Sequence, residues 1–229
     1  MSALKIHHQH PWDLSPGEAL ELQRRLRGQV VFQPLDTRRL QTVGGVDASY
    51  HAGKARAGIA VLAFPSLEMV DQATAEMPTP FPYIPGLLSF REAPVILQAL
   101  QQLNSMPDVL LFDGHGYAHP RRFGIACHVG VLVDIPTIGC AKSILIGEHD
   151  PLGETAGGTA QLFDGNEVIG ALVRTRTRVR PVIVSVGHRV DLTSAIETVL
   201  ACRSGYRLPE PIRMADRLAS HTGQPPKPD

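Results

Sequence analysis

The chain has 229 residues, 43% hydrophobic and 19% charged, the make-up of one ordinary globular domain over 1–229, long enough to bury on the order of 70% of its unfolded surface. Its 22 basic and 22 acidic side chains cancel, so no overall field marks a nucleic-acid or membrane partner, and any polyanion site must be a local patch. Cys127, Cys140 and Cys202 are scattered and form no CxxC pair, which argues against a disulfide framework and fits a reducing cytoplasm.

No apolar run reaches membrane-spanning length, and the amino-terminal MSALKIHHQHPW lacks a signal-peptide core. Its His7, His8 and His10 are expected to be solvated. Residues 13–40 read as a polar helix and connector. Three strand candidates follow, 42–50, 55–64 and 67–77, joined by the short turn signals HAGK and PS, as in an antiparallel meander. The segment Pro82-Tyr83-Ile84-Pro85 cannot be ordinary helix or central strand, because proline fixes φ and donates no backbone hydrogen bond.

Beyond it, 94–103 places Ile96, Leu97, Leu100 and Leu103 on one helical face. Residues 108–114, DVLLFDG, are apolar on both alternations and predict a strand covered on both sides. A helix over 120–134, a strand over 136–145, two further strands in NEVIGALVRTR and PVIVSVGH, and a helix over 191–203 complete the pattern; residues 219–229 read as a flexible tail. Three antiparallel strands followed by alternating helix and strand predict an α/β mixed sheet with helices on both faces, the order of a ribonuclease H-like fold.

Three acidic residues stand out. Asp47 sits mid-strand, where a bare carboxylate needs a cation or several donors; a metal ligand and a hydrogen-bonded edge aspartate are both open readings. Asp113 ends the doubly covered strand ahead of Gly114-His115-Gly116, where open α/β sheets bind ligands, although aspartate also suits turn initiation there. Ser89 to Glu92 fits a capping box, but Pro94 would then lie inside the first hydrogen-bonded turns. A helix beginning at Pro94 is the preferred reading, with Glu92 free at its entrance. Converging, the three carboxylates would suit magnesium.

His119, Arg121 and Arg122 cluster around the start expected for the 120–134 helix, where cations oppose the helix dipole and a bound phosphate would relieve the conflict. Lys142 can neutralise phosphate charge or snorkel from its strand. Arg174, Arg176, Arg178 and Arg180 would share one strand face unless a turn scatters them. Tyr83, on its stiff loop, is expected to be exposed and able to wedge between bases, and Gly86 allows close approach of a ligand to backbone.

GGVDASY, PYIPGLLSFRE, DGHGYAHPRRFGIACHVGVLVDIPTIGCAKS and VSVGHRVDL together closely resemble the endonuclease V family, over about residues 15 to 218. The resemblance implies a ribonuclease H-like fold and a magnesium-dependent nuclease, with manganese able to substitute. It implies a nick at the second phosphodiester bond 3′ to a deaminated base, chiefly hypoxanthine, leaving 3′-hydroxyl and 5′-phosphate. Asp47, Asp113 and Glu92 match its metal-site acids, and Lys142 and His119 match residues that approach substrate. Tyr83, with Pro82, Ile84 and Pro85, matches the strand-separating wedge; Gly86, Leu88 and Gly139 match the base pocket. Gly114, His115, Arg121 and Arg122 join the expected DNA-contacting set. The expected partner is inosine-containing DNA, with inosine RNA and non-catalytic binding as alternatives; a monomer with no membrane association is expected. Asp216 receives no role.

Overall fold

The computed structural model describes residues 4–79 and 81–220. Strands β1 (Thr42–His51), β2 (Lys54–Ala63) and β3 (Met69–Pro78) form the expected antiparallel meander. Its first turn is made by Ala52 and Gly53, both at positive φ. Strands β4 (Val109–Phe112) and β5 (Thr137–Ala141) extend the sheet in parallel from β1, and β9 (Val182–His188) returns antiparallel to β5. The far edge is a second meander of β8 (Glu167–Val173), β7 (Thr159–Asp164) and the two-residue β6 (Glu148–His149). The strand order β3-β2-β1-β4-β5-β9-β8-β7-β6 makes one mixed sheet, with the ribonuclease H-like arrangement at its centre.

Helices α2 (Leu88–Leu100) and α3 (Ile125–Val133) cover one face, packing Ile96, Leu100 and Leu132 on Val46, Leu110 and Phe112. Helix α1 (Pro16–Arg27), capped by a Ser15–Glu18 capping box, lies outside them. On the other face α4 (Leu192–Ala201), capped by Asp191, and α5 (Glu210–Ala219) pack on Val43, Leu111 and Ile138. Strand β4 therefore feeds alternate residues to two cores, as its unbroken apolar run required. Among the described residues no helix is long and apolar enough to cross a membrane. The three cysteines are free and buried.

Five local expectations change. Helix α2 begins at Leu88, not Pro94, so Pro94 lies inside it and Glu92 is a buried residue of its second turn. The loss of one helical hydrogen bond is outweighed by burial of Phe90, Ala93, Ile96 and Leu97. Helix α3 begins only at Ile125; residues 117–124 form turns in which Arg122 has φ +55°. Residues 174–180 leave the strand and turn, with Arg178 at φ +62°, so the four arginines share no face. Ala219 is buried in α5 and Ser220 caps it, so these two belong to the folded part, while 221–229 lie outside the described residues. His10 is half-buried against His128 and Trp12 instead of solvated.

Candidate active site

The parallel pairing of β1 with β4 matches Val46 to Phe112. One residue further on, the strands present Asp47 and Asp113, and the Asp113 backbone N–H donates to the Val46 carbonyl at 3.0 Å. Lys142, just past the end of β5, places Nζ 2.6 Å from Asp113 Oδ2. Its own carbonyl is held by the buried Arg207 guanidinium, which also donates to the carbonyls of Arg180 and Pro181.

Helix α5 reaches this corner because the sheet surface beneath it is bare. A Cβ at Gly45 would meet the Pro211 carbonyl, and one at Gly58, the β2 partner of Asp47, would lie 2.4 Å from the Ala215 oxygen. The Ser49 hydroxyl donates to the Ala219 carbonyl at 2.6 Å and locks the helix end. That docking sets Asp216 in the electrostatic field of Asp47, Asp113 and Lys142. The sequence did carry a signal for it. Asp216 follows Ile212 by four residues and precedes Ala219 by three, an acid on the buried stripe of the last helix.

The corner is electrostatically unbalanced. Burial, then repulsion by Asp113, pushes the Asp47 carboxyl well above its ordinary value. Burial likewise raises Asp113, although Lys142 opposes it. Glu92 is pushed up to about 8, chiefly by burial, with Tyr50 pulling against it and Asp113 pushing further. Lys142 is drawn down by burial but raised overall by its pairing with Asp113. Such a set of crowded oxygen donors with one ammonium fits a hard divalent cation, which would compensate the excess negative charge. Among the described residues no three such side chains close into a complete ligand group. A cation here would therefore fill its shell with water and substrate oxygens, as magnesium commonly does.

Beside the corner lies a cavity of about 270 Å³. Its rim is Tyr83, Ile84, Pro85, Gly86 and Leu88, and its wall includes Ser89, His115 and Ser143. Tyr83 is 69% exposed, as the two prolines implied. The loop is fastened at one atom. The Gly86 carbonyl accepts from Gln23 Nε2 at 3.0 Å, His119 Nε2 at 3.1 Å and Arg121 Nη2 at 2.6 Å. Gly86 has φ +78°, and a side chain there would strike the Arg121 guanidinium, so glycine is required twice over.

These contacts redirect several expected roles. His119 donates from Nε2 to Gly86 and accepts the Arg121 N–H at Nδ1, 3.2 Å away, so both ring nitrogens hold the loop. Burial and then Arg121 lower it to about 4, which keeps the ring neutral in this arrangement. Arg121 also donates to Gln23 at 2.5 Å. Arg122 pairs with Asp164 at 2.7 Å and Glu167 at 2.8 Å, tying the 117–124 turns to the β7–β8 hairpin. Since α3 starts after them, neither arginine opposes its dipole, and the conflict expected from the sequence does not arise. Gly114 and Gly139 pack backbone on backbone, a Cβ at Gly139 falling 2.8 Å from the Gly114 oxygen; they bring the strand ends close without lining the cavity. Pro82 leads into the rim. Gln23 went unread in the sequence, and Asp216 was left there without a role.

A sequence model of the endonuclease V family matches residues 24–217. Endonuclease V of Roseiflexus castenholzii is 54% identical over 95% of this chain and 97% of its own. The crystal structure of endonuclease V from Streptomyces avermitilis superposes with a TM-score of 0.85 at 41% identity, covering 95% of this chain and 96% of that one. The Ciona intestinalis endonuclease V, in complex with a 23mer DNA containing an inosine followed by a ribo-adenosine, superposes with a TM-score of 0.79 at 31% identity, covering 89% and 96%. With its ribonuclease H-like sheet, the chain belongs to the endonuclease V family of nucleases.

Proposed function

We propose that the protein is a magnesium-dependent repair endodeoxyribonuclease that recognises deaminated bases, chiefly hypoxanthine, and hydrolyses the second phosphodiester bond on their 3′ side. The products are a 3′-hydroxyl and a 5′-phosphate. The observation that carries the reading is the adjacency of Asp47 and Asp113, ion-paired to Lys142, within one corner beside the Tyr83-rimmed cavity.

Asp47, Asp113 and Glu92 would hold the cation, with Asp216 near enough to tune it. Bound there, magnesium supplies charge stabilisation at the phosphate and lowers the pKa of attacking water; manganese can take its place. Lys142 balances Asp113 and would offer its ammonium to the scissile phosphate. Tyr83 stacks into the gap left by an extruded nucleotide, and the cavity receives the base. At about 270 Å³ the cavity lies below the range that encloses drug-sized ligands, which suits a single base. His119, Arg121 and Gln23 position the rim by holding Gly86. Because a hypoxanthine pair is weak, extrusion itself contributes selectivity.

We infer a monomer as the working unit, and the three buried thiols fit the cytoplasm. RNA is the second reading, since the Ciona relative is in complex with a strand whose inosine precedes a ribo-adenosine. Cleavage of matched deoxyribo- and ribo-inosine strands, each with magnesium or with chelator, tests both. A cut confined to the DNA strand and to magnesium supports the first reading. Binding of either strand without a cut would overturn both in favour of a non-catalytic binder.

A further inference from the structure

The ladder between β5 and β9 stops at the pair Ala141 and Ile183. The next rung would join Lys142 to Val182, and one residue further Pro181 has no N–H to donate. A side chain takes up the carbonyls there. Arg207, buried at 5% exposure, donates from Nε to the Arg180 carbonyl at 3.0 Å. Its Nη2 donates to the Pro181 carbonyl at 3.1 Å and to the Lys142 carbonyl. The Arg207 carbonyl in turn accepts the Thr175 hydroxyl at 2.5 Å, so the clamp is braced from the β8–β9 connection. A guanidinium is planar, with its donors in a fixed fork, so carbonyls that share one are held in place relative to each other. The charge of Arg207 also acts on Asp113.

Lys142 extends a flexible stem, 47% exposed, to Asp113 at 2.6 Å. Packing restrains little of that stem, so the reach of the ammonium is set largely by where its backbone starts. We propose that Arg207 is a positioning residue for phosphodiester cleavage that acts through Lys142, holding the carbonyl at the root of the lysine so that its ammonium meets the scissile phosphate. Arg207 touches neither the substrate nor the reacting atoms in this role. Its contribution is the placement of a charge that stabilises the transition state, where a shift of about 1 Å is enough to matter. The inference rests on the proposed contact between Lys142 and the phosphate.

The test is single-turnover cleavage of a deoxyinosine strand with magnesium, followed against enzyme concentration. Parent, Arg207→Met, Arg207→Lys and Thr175→Val would each be measured with Lys142 intact and with Lys142→Ala. With Lys142 intact, Arg207→Met is expected to lower the plateau rate roughly tenfold to a hundredfold, while the half-saturating concentration moves by less than about twofold. Arg207→Lys keeps the charge but not the fork and should recover part of the rate; Thr175→Val should give a smaller loss in the same sense. With Lys142→Ala, each change should cost less than about twofold, because the group it acts through is gone. Arg207→Lys and Thr175→Val carry the comparison if Arg207→Met, which leaves three carbonyls without this donor, does not fold. Equal fold-losses in the two backgrounds, or a loss confined to half-saturation, would overturn the positioning role and leave Arg207 a brace of the fold. A parent that makes no cut, or Lys142→Ala cutting as fast as the parent, would instead overturn the proposed function on which the role depends.

Discussion

Asp47 and Asp113 are neighbours across a parallel ladder, each one residue beyond the last pair, Val46 and Phe112, with the Asp113 N–H tied to the Val46 carbonyl at 3.0 Å. Asp47, midway along β1, and Asp113, just past β4, are thereby fixed side by side by backbone pairing, before any side-chain contact is made. Lys142 balances one of them; the remaining charge is what a divalent cation would meet.

Asp47→Asn and Asp113→Asn should each lower inosine-strand cleavage by about a hundredfold or more, since each removes a charge that acts at the phosphate through the cation. Thermal unfolding should separate this from misfolding. In chelator at pH 8 the Asp47 variant is expected to melt at or above the parent temperature, because a repelled buried carboxylate has been removed. Added magnesium should raise the parent melting temperature and leave that of the variants nearly unmoved.

Glu92 sets a pH dependence of opposite sign to that of a salt-bridged acid. Its folded pKa, about 8, lies above the ordinary 4.5, so between these values the folded chain keeps a proton that the unfolded chain releases. Metal-free stability should fall as pH rises from 4.5 to about 8, by on the order of a few kcal/mol, and then level off. Urea denaturation in chelator should show a shallower slope for Glu92→Gln across that window. An unchanged slope would remove Glu92 from the charge imbalance.

Gly58→Ala should damage activity from a position that touches no substrate. Its Cβ would press on the Ala215 carbonyl and the Ala219 amide, lifting α5 and Asp216 from the corner. A loss of about 1–3 kcal/mol in denaturant stability is expected, together with weaker magnesium dependence of cleavage. Asp216→Asn should reproduce the second effect without the first.

Tyr83→Ala should leave stability within about 0.5 kcal/mol, because the ring is exposed, while weakening binding to an inosine duplex. Single-stranded inosine DNA, which needs no prising apart, should be affected less. Equal losses on the two substrates would remove the wedge role.

The sequence showed most clearly what depends on local chemistry. Asp113 was legible because a doubly covered strand must end where its apolar run ends, and Tyr83 because two prolines leave its loop little else to do. The start of α2 was not, since Pro94 argues locally for a helix boundary while the burial of Phe90 and Ala93 against distant strands extends the helix upstream. The same holds for Arg122, whose partners Asp164 and Glu167 lie more than forty residues away on a hairpin whose first strand has little apolar patterning. Asp216 depended on Gly45 and Gly58, glycines whose meaning appears only when a helix is laid across them.

Mapping the cut in an end-labelled strand with a single deoxyinosine tests the central claim most directly, using the parent and Asp113→Asn with magnesium and with chelator. One magnesium-dependent break at the second phosphodiester 3′ to the inosine, bearing a 3′-hydroxyl, is expected from the parent and almost none from the variant. A break that persists in chelator, or one made equally well by Asp113→Asn, would contradict it.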